Sequence, residues 1–272
     1  MVRKILIWLY ANLSSSQVKL LGRAWWLKPF RNWILRGKGK HGMLEVEVHW
    51  SGLTFYYHGD IKSALKAKRK GIEGSLLRLS AKLLREEKAK VDDATVLDVG
   101  ASYGFLSTVW AMSSCRRGQV YGFGASPSFF TVGRKMAEKN GLANLTYVNQ
   151  AVYNFDGLIQ IQPFDGTHAM VSKDSNGVLV SCITIDSFCE RNQVKGVDLI
   201  KIDVDGPEFE VLEGAKNVMA NESPIVILES NGDSRLLSFF DPARYSLFDL
   251  ALNPLIDSSV PPTIVAIPKR SF

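Results

Sequence analysis

From Thr95 onward, short apolar runs alternate with helical stretches, and no other feature restricts the fold of this 272-residue chain as much. Strands are read at residues 95–100, 119–124, 145–152, 198–205 and 224–229, with helices at 105–114, 128–140 and 207–219 between them. Strands this uniformly apolar are buried on both faces, which requires a parallel sheet covered by helices on each side. Residues 158–164 and 178–188 read as an inserted pair of strands. A short helix at 235–240 follows, then strands at 245–251 and 263–268 with no full helix between them, which suits an antiparallel pair at the sheet edge. The expected class is α/β, a doubly wound sheet with an antiparallel edge.

Ahead of this core the chain changes character. Residues 1–90 carry nineteen Lys and Arg against six Asp and Glu, and residues 91–272 carry fourteen against twenty-one. Residues 1–42 form a basic, aromatic segment of short helical pieces, broken at Pro29 and ended by Gly37-Lys38-Gly39-Lys40. Trp26, Phe30 and Trp33 share one helical face there, and indole beside Lys and Arg suits a bilayer interface. A peripheral membrane contact through residues 1–40 is one expectation; aromatics packed on the following domain are the other. Residues 43–93 precede the core, with alternation around Ser51-Gly52 indicating a hairpin at 43–59. A helical period over 61–90 places Ile72, Leu76, Leu79 and Leu83 on one face. The core itself spans 94–272.

The acidic half offers no basic groove, so nucleic acid is not an expected partner. Cys115, Cys182 and Cys189 are odd in number and widely spaced, giving neither a disulfide framework nor a zinc set and fitting a reducing cytoplasm. The apolar run at residues 5–11 is far short of the roughly 20 residues that cross a bilayer. A cytoplasmic location is expected, with membrane association as the outcome if residues 1–40 make the peripheral contact.

The strongest chemical signal closes the first core strand, at Val96-Leu97-Asp98-Val99-Gly100-Ala101-Ser102-Tyr103-Gly104-Phe105. Ligands of open α/β sheets sit at the carboxyl ends of the strands. A dinucleotide loop needs G-x-G-x-x-G so that backbone N–H groups can approach a pyrophosphate. Here the glycines are four apart, and Asp98 would repel a pyrophosphate. S-adenosylmethionine (SAM) instead presents an ammonium for Asp98 and a carboxylate for the helix N–H groups. The loop therefore favours SAM over NAD; a tight turn capped by Asp98 is the purely structural alternative.

A second landmark runs through Lys201-Ile202-Asp203-Val204-Asp205-Gly206-Pro207-Glu208. Asp203 lies in an apolar strand, where an unpaired carboxylate is costly, so it needs Lys201, a metal or a substrate. Asp205 reads as a helix N-cap, because Pro207 suits the first turn and Glu208 favours the dipole. His168, in the insertion, is a general-base candidate set against a solvated loop histidine. His41, His49 and His58 lack ligand spacing, and Glu229 beside Asp203 around a divalent ion is disfavoured, so no metal is expected.

These two landmarks, with Glu213-Gly214-Ala215, Asn149-Gln150-Ala151-Val152, Thr184-Ile185-Asp186 and residues 225–229, resemble the FkbM family of SAM-dependent methyltransferases across residues 43–268. The resemblance implies a class I methyltransferase fold, Rossmann-like, and O-methylation of a small hydroxylated acceptor such as a saccharide or glycolipid. It places Asp98, Gly100, Ala101, Ser102 and Gly104 along the SAM methionine, with Gln150 in the same site and Asp203 and Asp205 at the reaction centre. It also implies an acid at the end of the second strand, accepting both ribose hydroxyls. Gly124 stands there instead, leaving Ser126 as a weaker ribose contact. That departure motivates a second reading, a non-catalytic, membrane-associated member without SAM affinity. An NAD-dependent oxidoreductase is third.

Overall fold

The computed structural model describes residues 2–11, 13, 17, 42–161, 177–256 and 259–269. His168 and the Trp26, Phe30 and Trp33 face lie outside these residues. The chain divides into two units, Met1–Ile72 and Glu73–Phe272. The helix that begins at Gly74 thus belongs with the core, twenty residues ahead of the boundary expected at 93/94.

In the first unit, helix α1 (Val2–Ala11) precedes strands β1 (Met43–Trp50) and β2 (Leu53–Asp60) and helix α2 (Ile61–Lys70). The hairpin expected around Ser51-Gly52 forms, with Trp50 opposite Leu53 and positive φ at both turn residues, as a tight two-residue connection requires. The Asp60 carboxylate accepts from the Lys62 and Ser63 N–H groups at 2.9 and 3.2 Å and starts α2. Ile7, Ile61 and Leu65 form a small core, and the Arg69 guanidinium lies 4.8 Å over the Tyr10 ring.

The period over 61–90 predicts one helix, but the chain makes two. Gly71 and Glu73 adopt φ of 75° and 47°, so α2 ends and α3 (Gly74–Lys88) restarts beyond them.

The second unit alternates β3 (Thr95–Val99), α4 (Phe105–Met112), β4 (Gln119–Phe123), α5 (Pro127–Lys139) and β5 (Leu145–Val148). The short strands β6 (Ala151–Val152), β7 (Gly157–Ile161) and β8 (Val178–Ile183) follow, then α6 (Ile185–Arg191) and β9 (Val197–Ile202). Helices α7 (Glu208–Glu213) and α8 (Lys216–Glu222), β10 (Ile225–Glu229), α9 (Arg235–Phe239), β11 (Tyr245–Phe248) and β12 (Thr263–Pro268) complete it.

The seven-stranded sheet has the order β11-β12-β10-β9-β3-β4-β5. Its strands are parallel from β10 to β5, and β12 is antiparallel to both β10 and β11. This is the doubly wound sheet with an antiparallel edge that the alternation predicts. Every residue of β9 is buried, as befits its central place. Beside it, the Trp110 indole N–H of α4 donates to Ser80 Oγ of α3 at 2.9 Å, so the buried ring keeps its polar handle satisfied.

Three local expectations change. Residues 145–152 split into β5 of the main sheet and β6 of a separate three-stranded sheet, ordered β6-β8-β7. Residues 178–188 are β8 followed by α6, which Thr184 caps by accepting from the Ser187 N–H at 2.9 Å. Residues 207–219 are two helices, with Gly214 and Ala215 between them.

Candidate active site

Chain direction across the sheet reverses between β3 and β9: β3, β4 and β5 step one way, β9 and β10 the other. At such a switch point the loops part, leaving a crevice at the carboxyl ends of the strands. The loop after β3 enters it with φ of 83° at Gly100, 50° at Ser102 and 78° at Gly104. Gly100 has no substitute here, because a Cβ on it would lie 1.7 Å from the Asp203 carbonyl oxygen. The Gly100 and Ala101 N–H groups donate to the Phe123 carbonyl at 3.2 and 2.9 Å, tying the loop to the end of β4.

A cleft of about 100 Å³ opens over these strand ends. Phe123, Phe129, Val152, Ile159 and Ile161 give it apolar walls. Ser102, Ser126, Gln150, Asp203 and Asp205 add polar groups, and Gly100 and Gly124 leave backbone open to it. The structure thus brings together Gly100, Ser102, Ser126, Gln150, Asp203 and Asp205 from the sequence reading. Ala101 and Gly104 belong to the same loop but are not on the wall; Gly104 sits over the Tyr147 hydroxyl and starts α4. The Ser126 hydroxyl accepts from the Phe129 N–H at 3.4 Å and is hydrogen-bonded to Ser128 Oγ at 2.8 Å, so it works as the cap of α5.

Asp98 is placed differently from the sequence expectation. It lies beneath the loop, 1 % exposed, off the cleft wall. Ser107 Oγ donates to its Oδ2, and its Oδ1 faces the Lys201 ammonium at 3.6 Å, an ion pair without a hydrogen bond. Lys201 reaches on to Asp203 Oδ2 at 3.3 Å and donates to the Gly100 carbonyl at 3.2 Å. Burial pushes Asp98 above the usual carboxylate range. Burial alone would lower Lys201, but Asp98 and Asp203 outweigh it and hold the ammonium above its ordinary value. Of the partners considered for Asp203, Lys201 is present.

Asp205 is not the N-cap of α7. It takes a left-handed φ of 58°, and Pro207 holds the cap position without a side-chain bond. The turn is held instead by Glu208, 1 % exposed, whose carboxylate accepts from the Val204 N–H at 3.2 Å, the Gly206 N–H at 3.1 Å and Asn231 Nδ2 at 3.0 Å. The sequence reading gave Glu208 only a dipole role. Its position, reaching back over a Gly-Pro turn, was the available signal.

Asp203, Asp205 and Glu229 bring one carboxylate oxygen each within 4.8 Å of one another, a spacing that would suit a cation. Lys201 supplies part of the compensating charge. A hydrogen bond to Asp203, burial, and the charges of Asp203, Asp205 and Glu208 push Glu229 up to about 7.

Residues 98–247, more than half of the chain, match the methyltransferase FkbM domain. The chain belongs to the FkbM methyltransferase family. The hexuronic acid methyltransferase AglP of Haloferax volcanii is 26 % identical over 147 residues, 52 % of this FkbM chain and 57 % of AglP. The chain thus spans less than two thirds of that relative. Among solved structures, the methyltransferase FkbM from Methylobacillus flagellatus KT gives a TM-score of 0.44 at 15 % identity, covering 76 % of this chain and 55 % of that one. An rRNA methylase from Streptococcus thermophilus gives 0.45 at 12 % identity, covering 74 % and 99 %. Membership of a methyltransferase family replaces the oxidoreductase alternative. Among the described residues, no helix is long and apolar enough to cross a membrane.

Proposed function

We propose that this FkbM chain is a SAM-dependent O-methyltransferase acting on a hydroxyl of a saccharide or a similar small acceptor. The observation that carries the reading is the cleft at the β3–β9 switch point within the family's matched region, apolar along one wall and edged by two carboxylates. That donor set fits SAM, a ligand with an aromatic ring at one end and positive charge at the other. Phe129, Ile159 and Ile161 would flank the ring, the turn at Gly100 and Ser102 would follow the methionine, and Asp203 and Asp205 would face the cationic end. When bound, SAM supplies a methyl group on a positive sulfonium. The chain's own work is to hold the acceptor oxygen in line and to receive its proton. AglP, a hexuronic acid methyltransferase, supports a saccharide acceptor by relation.

Calorimetry with SAM, S-adenosylhomocysteine and NAD tests the donor, with binding of the first two and not the third expected. A tritiated-methyl transfer screen over saccharide and lipid extracts tests the acceptor. Asp203→Asn should lose most transfer while S-adenosylhomocysteine affinity stays within a few-fold. Gly124 favours one competing reading, a member of the fold that no longer binds SAM. A folded protein with no affinity for SAM or S-adenosylhomocysteine would establish it.

A further inference from the structure

Asp203 lines two cavities. Beyond the donor cleft, a second space of about 310 Å³ opens where β9, β10 and β12 meet the first turn of α3, at the low end of the ~300–1,000 Å³ typical of small-molecule sites. Its polar groups are Glu73, Ser75, Lys201, Asp203, Glu229 and Thr263. Asp203 is the one lining residue common to both spaces. Glu229 lines only the second, with a carboxylate oxygen within 4.8 Å of one of Asp203. Asp203 therefore stands between the two spaces, bordering each.

The wall chemistry says what kind of ligand this is. Carboxylates and hydroxyls accept and donate to several hydroxyl groups at once. Three acids face one lysine, and that lysine is already shared with Asp98 and Asp203. An anionic ligand would be repelled, whereas an uncharged one carrying several hydroxyls matches.

We propose that this second cavity receives the acceptor as an uncharged, polyhydroxylated ring, and that Glu229 takes the proton of the hydroxyl to be methylated. The proposal rests on the reading of the first cleft as a SAM site. The acceptor O–H bond breaks and its proton goes to the Glu229 carboxylate. The oxygen's electron pair forms the O–CH₃ bond as the methyl–sulfur bond of a methyl sulfonium donor breaks, that bonding pair staying on sulfur as a thioether. Glu229 then returns the proton to water.

The surroundings of Glu229 suit the task. Asp203, Asp205 and Glu208 bear on it from the β9 side, Glu73 and Lys201 share the cavity wall, and Asp98 lies behind Lys201. With its titration near 7, Glu229 is matched to a proton transfer at neutral pH.

The test uses the whole chain, saturated with S-adenosylhomocysteine. Methyl β-glucoside and methyl β-glucuronide are titrated in parallel while amide resonances of Ser75, Leu76 and Thr263 are followed by NMR. Side-chain carboxyl resonances are followed against pH in wild type, Glu229→Gln and Glu229→Asp. The glucoside should shift the cavity amides at least fivefold more than the glucuronide at equal concentration, and Thr263→Trp should remove that response without weakening S-adenosylhomocysteine. One glutamate carboxyl should titrate near 7 in wild type, vanish in Glu229→Gln and reappear as an aspartate in Glu229→Asp. Equal or stronger response to the glucuronide, no response to either sugar at these amides, or no glutamate titrating above 6 would overturn the proposal. Failure of S-adenosylhomocysteine to bind wild type would instead overturn the reading on which it rests.

Discussion

Gly124 follows β4 on the wall of the cleft proposed to take SAM, where the family resemblance implies a carboxylate for the two ribose hydroxyls. The structure shows room for one. A Cβ there meets nothing within 4 Å, and Gly124 is not among the residues with positive φ. The backbone is already fixed, since its N–H donates to the Val148 carbonyl at 3.1 Å and its carbonyl accepts from Asn149 Nδ2 at 2.9 Å. A side chain added at this point disturbs neither bond. Gly124→Glu should therefore fold and present a carboxylate to the cleft.

Two hydrogen bonds to a charged acceptor are worth roughly 1.5–3 kcal/mol each. Ordering a glutamate side chain costs about 1.5–2 kcal/mol, and partial desolvation takes a further share. The expected net gain is about 1–2 kcal/mol, a five- to thirtyfold tighter Kd. Calorimetric titration of wild type and Gly124→Glu with SAM and with S-adenosylhomocysteine measures it, beside a thermal melt of each protein. Both ligands should gain alike, because both carry the same ribose. A folded variant with unchanged or weaker affinity for both would refute the reasoning, and would mean that no ribose lies beside Gly124.

Gly100→Ala should behave oppositely: left-handed φ costs an alanine about 1–2 kcal/mol, and its Cβ would strike the Asp203 carbonyl, so urea unfolding should show a loss beyond that figure. Glu208→Gln should cost about 1–3 kcal/mol in the same assay, because charge-assisted bonds to the turn at 204–206 become neutral ones; a loss below 0.5 kcal/mol would show that the turn holds itself. Glu229 binds its proton more tightly folded than unfolded, so its contribution to stability is full below the ordinary value of 4.5 and is lost as pH rises through about 7. Melting wild type and Glu229→Gln across that window should show the decline in wild type and a flatter profile in the variant.

How much of this was legible depended on whether the signal was periodic. The parallel strands and the antiparallel edge repeat their pattern over many residues, and they fold as the alternation says. The break between α2 and α3 rests on single backbone angles at Gly71 and Glu73, which leave the hydrophobic period unbroken. Glu208 shows the same limit at the site. Its side chain turns back on Val204 and Gly206, against the forward direction in which a helix-start acid is usually read. Gly100, Asp203 and Asp205 came together because each lies just beyond a strand end, where the topology leaves one place to converge.

Asp98 tests that reasoning most sharply, because Val99 and Gly100, which follow it, are cleft residues and it is not. Strand alternation sends its side chain to the face it shares with Lys201, its register partner, and away from the cleft wall that Val99 joins. A carboxylate there balances a buried ammonium. Asp98→Asn should leave Lys201 charged, with Asp203 as its remaining close ion pair among the described residues and Glu73 acting from farther off. Removing one partner of a buried pair costs about 3–5 kcal/mol, and the asparagine, still able to accept from Ser107, should hold the loss near the lower figure. S-adenosylhomocysteine affinity should change less than threefold, since nothing on the cleft wall is removed. A direct ammonium contact predicts the reverse, tenfold weaker binding or more with little change in unfolding. Calorimetry and urea unfolding on one preparation separate the two outcomes, and the second would place Asp98 in the donor site after all.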